Sequence, residues 1–233
     1  MTTTIEHRDA LGVRPSLTGA LPVASRGSRW ALAGVAAGVL AVAGFFLSGA
    51  LSVSEDVLAD NADFVAAVEG KEWVLWAYQS LTAVIAAALV VFAAGLRRRL
   101  DEQAPVGSLL PTVAFTGLAL TAAMNLVGGG ICTELFWLMV NADKSDPDTI
   151  ASNFGIVNTM GWVWVGIGLT ACSVAISALR HGSLPRWLGW VSVVATALIA
   201  LLQLVPLQYL ALVPGALWCI VAGIGMARRE RIS

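Results

Sequence analysis

From Trp30 onward the chain is a succession of long apolar runs separated by shorter polar stretches. Six runs reach the roughly 20 mainly apolar residues that a helix needs to cross a bilayer: residues 30–51, 73–95, 108–131, 157–179, 187–205 and 209–227. Only "PLQ" at 206–208 separates the last two. A single helix of about 40 residues would be roughly 60 Å long, twice the ~30 Å hydrocarbon core, so two passes joined by a tight hairpin are expected. The fold class that follows is all-α, a polytopic transmembrane bundle of six spans. It forms one domain over residues 30–227, between an N-terminal tail (1–29) and a short basic tail (228–233). The first tail, rich in Pro, Gly, Ser and Thr without apolar periodicity, reads as flexible. The run after it, about 22 residues, exceeds a signal-peptide core of about 7 to 15 and reads as a retained span.

Composition agrees: 58% of residues are hydrophobic and 12% charged, about half the ~25% charge of a soluble domain. Charge placement then sets an orientation, because cytosolic loops retain Lys and Arg. Arg8, Arg14, Arg26, Arg29, Arg97, Arg98, Arg99, Arg180, Arg186, Arg228, Arg229 and Arg231 all fall on the side of the termini, and only Lys71 and Lys144 fall on the other. Ten of the fifteen acids lie with the two lysines. Both termini are therefore expected in the cytosol of a bacterial cell, the chain being a multi-pass protein of its plasma membrane.

The two outer connections are long and acidic. In "SEDVLADNADFVAAVEGKEW" (54–73), Ser54 is a candidate N-cap, and Val57, Phe64 and Val68 are spaced for a short amphipathic helix. "DKSDPDTIASNFGIVN" (143–158) offers a second acidic cap at Asp146 and Asp148 about Pro147. An ordered acidic cap over the outer face is expected. It has no EF-type spacing for calcium.

Glu134 lies in "MNLVGGGICTELFWLMVNAD" (124–143), otherwise almost entirely apolar or small. At 1.5 Å per residue the third span reaches the far interface near Ile131, so Glu134 is expected at a solvated mouth. "GGG" (128–130) then reads as a helix stop, and "LFWLMV" as a segment on the membrane or over the bundle. With Glu134 outside, the six spans hold no Asp, Glu, Lys, Arg or His. That disfavours proton relays and voltage sensors, which are built from such residues; sodium coupling through backbone carbonyls stays open.

Candidate chemistry is thin. His7 lies in the tail and His181 in a turn, neither with a partner at catalytic spacing. Haem, zinc or di-iron would need His or carboxylate ligands that the spans do not supply, so no metal and no cofactor is expected. Cys132, Cys172 and Cys219 sit at different depths, which argues against a disulfide. "GVAAG" (34–38), Gly166, Thr170, Ser173 and Ser177, then Ser192, Thr196 and Gln203, then Gly215, Cys219 and Gly223 form small or polar helix stripes. Such faces pack helices within a bundle or between two copies.

At "SLPRWLGW" (183–190) the chain resembles a broad group of bacterial six-helix membrane proteins of unknown function, whose turn before the fifth span reads L-P-x-W-L-G. Leu184, Pro185, Trp187, Leu188 and Gly189 carry the match. The resemblance implies the six-span architecture and brings no catalytic residues.

Depth arithmetic gives a candidate site. Counted from the outer boundary, Gln79 lies about 9 Å deep, Asn125 about 8 Å and Gln203 about 3 Å, with Tyr78 and Asn158 near by. Amides in lipid face inward to find partners. They either fasten the bundle or orient a ligand, with Trp76 and Trp162 as walls and Glu134 at the rim. The expected function is non-enzymatic: binding or moving a small apolar or amphiphilic molecule through this outer-leaflet pocket. The alternative is an accessory or scaffold subunit of a membrane complex. A lipid-modifying enzyme has less support, with only Glu134 and the external acids for its chemistry. Expected partners are membrane lipids, that ligand, and a membrane-protein partner or a second copy of the chain; no nucleic acid is expected.

Overall fold

The computed structural model describes residues 29–54, 57–205 and 207–230. The N-terminal tail to residue 28, the C-terminal residues 231–233, and Glu55, Asp56 and Pro206 of the expected loops lie outside the described residues. All regular structure among the described residues is helical. Among the described residues six helices are long and apolar enough to cross a membrane, the mark of a multi-pass membrane protein.

The helices are α1 (Arg29–Ser48), α2 (Asn61–Val68), α3 (Glu72–Asp101), α4 (Leu110–Val140), α5 (Pro147–Thr159), α6 (Val165–Arg180), α7 (Arg186–Leu204) and α8 (Leu212–Glu230). The spanning helices close into a ring in which α1 packs on α3, α3 on α4, α4 on α6, α6 on α7, α7 on α8, and α8 on α1. Between apolar helices in lipid the hydrophobic effect gives little drive, so association depends on close packing and on hydrogen bonds. The α4–α6 crossing shows both. A Cβ on Gly117 would lie 2.3 Å from the Gly166 carbonyl oxygen, and one on Gly166 equally close to the Gly117 oxygen. The Thr170 hydroxyl donates to the Ala114 carbonyl at 2.9 Å, and Thr121 donates to that of Val163 at 3.1 Å. The two helices thus exchange the same contact in both directions. On the other side of the ring, Gly38 meets the Ala216 carbonyl and Gly223 that of Ala31.

The ring is filled, toward its arginine end, by aromatic side chains. Trp30 stacks on Phe92 at 5.9 Å between centroids, and Phe92 meets the buried Trp218 at 6.3 Å. The L-P-x-W-L-G turn has a packing reason here: Gly189 seats against Ala178 and Leu179 of α6, and the Trp187 ring lies over Gly225 of α8.

The two ends differ in charge. Arg29, Arg97, Arg98, Arg99, Arg180, Arg186 and Arg228 gather at one end, while Lys71, Lys144 and the acids Asp60, Asp63, Asp143, Asp146 and Asp148 gather at the other. At that second end α2 and α5 form the expected ordered cap. Phe64 meets Phe154 edge to face at 4.9 Å, and Asn61 Nδ2 donates to Asp148 Oδ1 at 2.7 Å. Val68, Leu75, Leu135, Met139 and Ile150 complete a small core separate from that of the ring. Asp146 caps α5 as expected, its carboxylate accepting from Thr149 N at 3.2 Å with Pro147 following.

Three expectations are corrected. First, the N-cap of α2 is Asp60, which accepts from Ala62 N at 2.8 Å, and not Ser54. Residues Val57–Ala59 form a separate 3-10 turn, and the aspartate offers a charged acceptor at the helix start. Second, Gly128 to Gly130 do not stop the third span, which continues as α4 to Val140. Gly128 and Gly129 are packing glycines, facing Met160 at 3.2 Å and Thr82 Oγ1 at 2.7 Å from their absent Cβ atoms. In lipid a helix break leaves backbone groups without water to satisfy them. Third, the fourth span runs on from the cap helix α5 through a 3-10 stretch, Met160–Trp164, into α6. Mid-helix stretches of this kind often mark a hinge or a sequence under strain.

Candidate functional site

The eight candidate residues divide by which side of their helices they occupy. A helix turns about 100° per residue. On α3, Tyr78 shares a side with Thr82 and Leu89, both buried, and its ring lies 3.5 Å from the position of a Cβ on Gly44 of α1. Gln79, one step around, faces α4, where the Thr133 hydroxyl donates to its Oε1. That hydroxyl is also 3.0 Å from the Gly129 carbonyl, and the Gln79 carbonyl accepts from Thr82 Oγ1 at 2.7 Å. Asn125 is buried on α4, and its Nδ2 donates to the Thr121 carbonyl at 2.8 Å. Each of these two amides makes one bond within the bundle, and neither bonds the other.

Gln203 differs. It follows Ile199 by one turn and Ser192 by about three turns on α7, and both are buried; Ile199 sits 3.1 Å from the position of a Cβ on Gly168. Its amide Nε2 and Oε1 are both out of contact with solvent, and neither has a hydrogen-bond partner. The end of α7 packs on the 3-10 turn Gln208–Ala211, which in turn crosses the Met160–Trp164 stretch backbone to backbone. There, a Cβ on Gly161 would lie 2.6 Å from Tyr209 Cα. The unpartnered amide thus stands at the level where two spans depart from α-helical geometry.

The other four candidates lie on the surface. Trp76, Glu134, Asn158 and Trp162 are exposed. Glu134 follows Asn125 by nine residues, close to two and a half turns, so it points from the opposite side of α4. Trp76 precedes Tyr78 by two residues and points nearly opposite to it for the same reason. The expected walls and rim therefore do not line the interior. With Trp73 and Trp137, also exposed near the cap, the two tryptophans form an aromatic belt of the kind that sits at a membrane interface.

Reasoning from sequence missed Thr133, Thr121 and Trp218. The Trp218 Nε1–H donates to Ser192 Oγ at 2.9 Å, with both residues buried. Two signals pointed that way: Gly-x-x-x-Thr occurs at 117–121 and again at 166–170, and Trp218 stands mid-span, away from the interfaces where tryptophan gathers.

Chemically the interior offers neutral hydrogen-bonding groups on an apolar wall. All three cysteines are free, and no group of three or more His, Cys, Asp or Glu suited to a metal occurs among the described residues. No family model matches the chain, and neither a curated protein nor a solved structure matches it.

Proposed function

We propose that the chain is a non-enzymatic protein of a bacterial plasma membrane, with both termini cytosolic, that binds a small apolar or amphiphilic molecule within the outer-leaflet half of its bundle. The arginine split supports the orientation, since the positive end is retained in the cytosol; the acidic cap then faces outward. The observation that carries the binding reading is Gln203, an amide buried without a partner. Pockets for small ligands are mostly apolar, with a few polar groups that fix orientation, and Gln203 is such a group. Gln79 and Asn125, each bonded at one end of its amide within the bundle, favour the second reading, an accessory subunit whose polar layer only fastens helices.

Solvent extraction of the purified chain followed by mass spectrometry separates the two. The binding reading expects one amphiphile enriched far above its share of the membrane, near one per chain. Bulk lipids in membrane proportions, together with a protein partner that co-purifies at fixed stoichiometry, would favour the accessory subunit.

A further inference from the structure

The arginines at one end of the bundle are not all neutralised. Arg97 pairs with Asp101 at 3.6 Å and lies over the Phe115 ring, and Arg99 pairs with Glu102 at 4.0 Å. Arg29, Arg186 and Arg228 are exposed, and among the described residues none of the three has a carboxylate within ion-pair distance. They stand on α1, α7 and α8, and α8 packs on both of the others.

Close contacts fix their relative level. A Cβ on Gly223 of α8 would lie 2.6 Å from the Ala31 carbonyl oxygen of α1, and one on Gly225 would lie 2.8 Å from the Trp187 ring of α7. With the Gly38 contact to Ala216 and the Trp218 bond to Ser192, these pairings make α8 antiparallel to both neighbours. Arg29, just before Ala31, and Arg186, just before Trp187, therefore lie toward the same end as Arg228. At 1.5 Å per residue the three Cα atoms fall within about 8 Å of depth, which flexible arginine side chains can bridge.

Two of the three also head apolar tracks. On α8, Arg228 follows Ile224 by about one turn and Leu217 by about three, and all are exposed. On α7, Arg186 precedes Trp190 by about one turn and Val194 by about two, again all exposed. In a bilayer such tracks meet acyl chains, and the arginines above them meet head groups. The planar guanidinium matches phosphate oxygens with paired hydrogen bonds, and basic clusters between spans on the cytosolic side bind phosphate head groups. Retention in the cytosol needs only positive charge in a loop. It does not need a shared depth on adjoining helices above apolar tracks.

We propose that Arg186 and Arg228, with Arg29 on the α1 flank, bind the phosphate head of an anionic phospholipid whose acyl chains lie along the α7–α8 seam. The site is separate from Gln203 and does not depend on a ligand there.

The test uses the full chain in phosphatidylcholine nanodiscs with a trace of phosphatidylglycerol that carries a photoreactive diazirine on its chain. Both leaflets hold the same lipids, so the result does not depend on sidedness. Cross-links are expected to concentrate on peptides of α7 and α8. Replacing part of the phosphatidylcholine by unlabelled phosphatidylglycerol should suppress them, and replacing it by phosphatidylethanolamine should not. The double variant Arg186→Gln, Arg228→Gln should lower this labelling about tenfold or more and melt at the parent's temperature in phosphatidylcholine. Arg97→Gln, which removes an arginine already paired with Asp101, should label like the parent. Equal suppression by phosphatidylethanolamine, cross-links spread evenly over the six spans, or undiminished labelling of the double variant would overturn the proposal. Complete suppression by millimolar glycerol phosphate would show that the arginines hold a free phosphate and not a lipid, and would also overturn it.

Discussion

The indole N–H of Trp218 on α8 is held by the hydroxyl of Ser192 on α7 at 2.9 Å, and both side chains are almost wholly buried. This bond joins two spans at their shared seam, beside the Phe92 and Trp30 stack that fills the ring. Ser192→Ala leaves a buried N–H without a partner, so a loss of about 1–3 kcal/mol is expected. Trp218→Phe removes the donor together with part of the packing. Because the two substitutions break one bond, the double variant should lose less than the sum of the singles. Thermal melting in mild detergent checks this, and strict additivity would deny the bond.

The glycines of α4 should divide sharply. Gly117→Ala and Gly166→Ala each put a methyl group 2.3 Å from a carbonyl oxygen of the facing helix. No side-chain rotation relieves that clash, so both variants should fail to give a stable folded protein. Gly130 has nothing within 4 Å of its absent Cβ, and glycine within a helix is worse than alanine by roughly 0.5–1 kcal/mol. Gly130→Ala should therefore be neutral or slightly stabilising. Size-exclusion profiles and melting curves of the three variants test the assignment.

The cap should open independently of the ring, because its core of Phe64, Val68, Leu75, Leu135, Met139, Ile150 and Phe154, built on the outer ends of α3 and α4, is separate from the core that fills the ring. Phe154→Ala removes the edge-to-face partner of Phe64, and such a truncation costs about 3–5 kcal/mol. Amide exchange should speed up in α2 and α5 while α6 and α8 keep their protection. Uniform loss of protection along the chain would show cap and ring to be one cooperative unit.

Sidedness is open to a direct check. If the arginine end faces the cytosol, alkaline phosphatase fused after Asp63 or Asp146 should be active, and after Arg99 or Arg186 silent. The reverse pattern would invert the orientation and place the Gln203 level in the inner leaflet.

Much of the fold was legible because uninterrupted apolar runs leave little choice of structure in lipid. The spans and the Asp146–Pro147 start of α5 agree with the structure, with shifts at their ends. The failure at Gly128 to Gly130 has a physical reason: a glycine that ends a helix in water and one that admits Thr82 or Met160 from a neighbour look identical in sequence. For the site, depth placed Gln79, Asn125 and Gln203 in one layer, but depth says nothing of direction. Glu134 is exposed, as a solvated acid should be, but the nine residues from Asn125 to Glu134 already implied opposite sides of α4, and applying that rotation would have taken Glu134 off the rim of the amide layer. No pattern in the sequence shows that Gln203 lacks a partner, because that depends on which groups the folded chain brings beside its amide.

The binding function requires the buried Gln203 amide to be completed by something other than this chain. An experimental density map of the protein purified from its own membrane, sharp enough to place side chains, tests it most directly. Non-protein density is expected within about 3.2 Å of Gln203 Nε2 or Oε1, extending as an apolar chain along α6, α7 or α8. A Gln203 amide bonded to backbone or side chains of the protein itself, in a closed interior without added density, would contradict it.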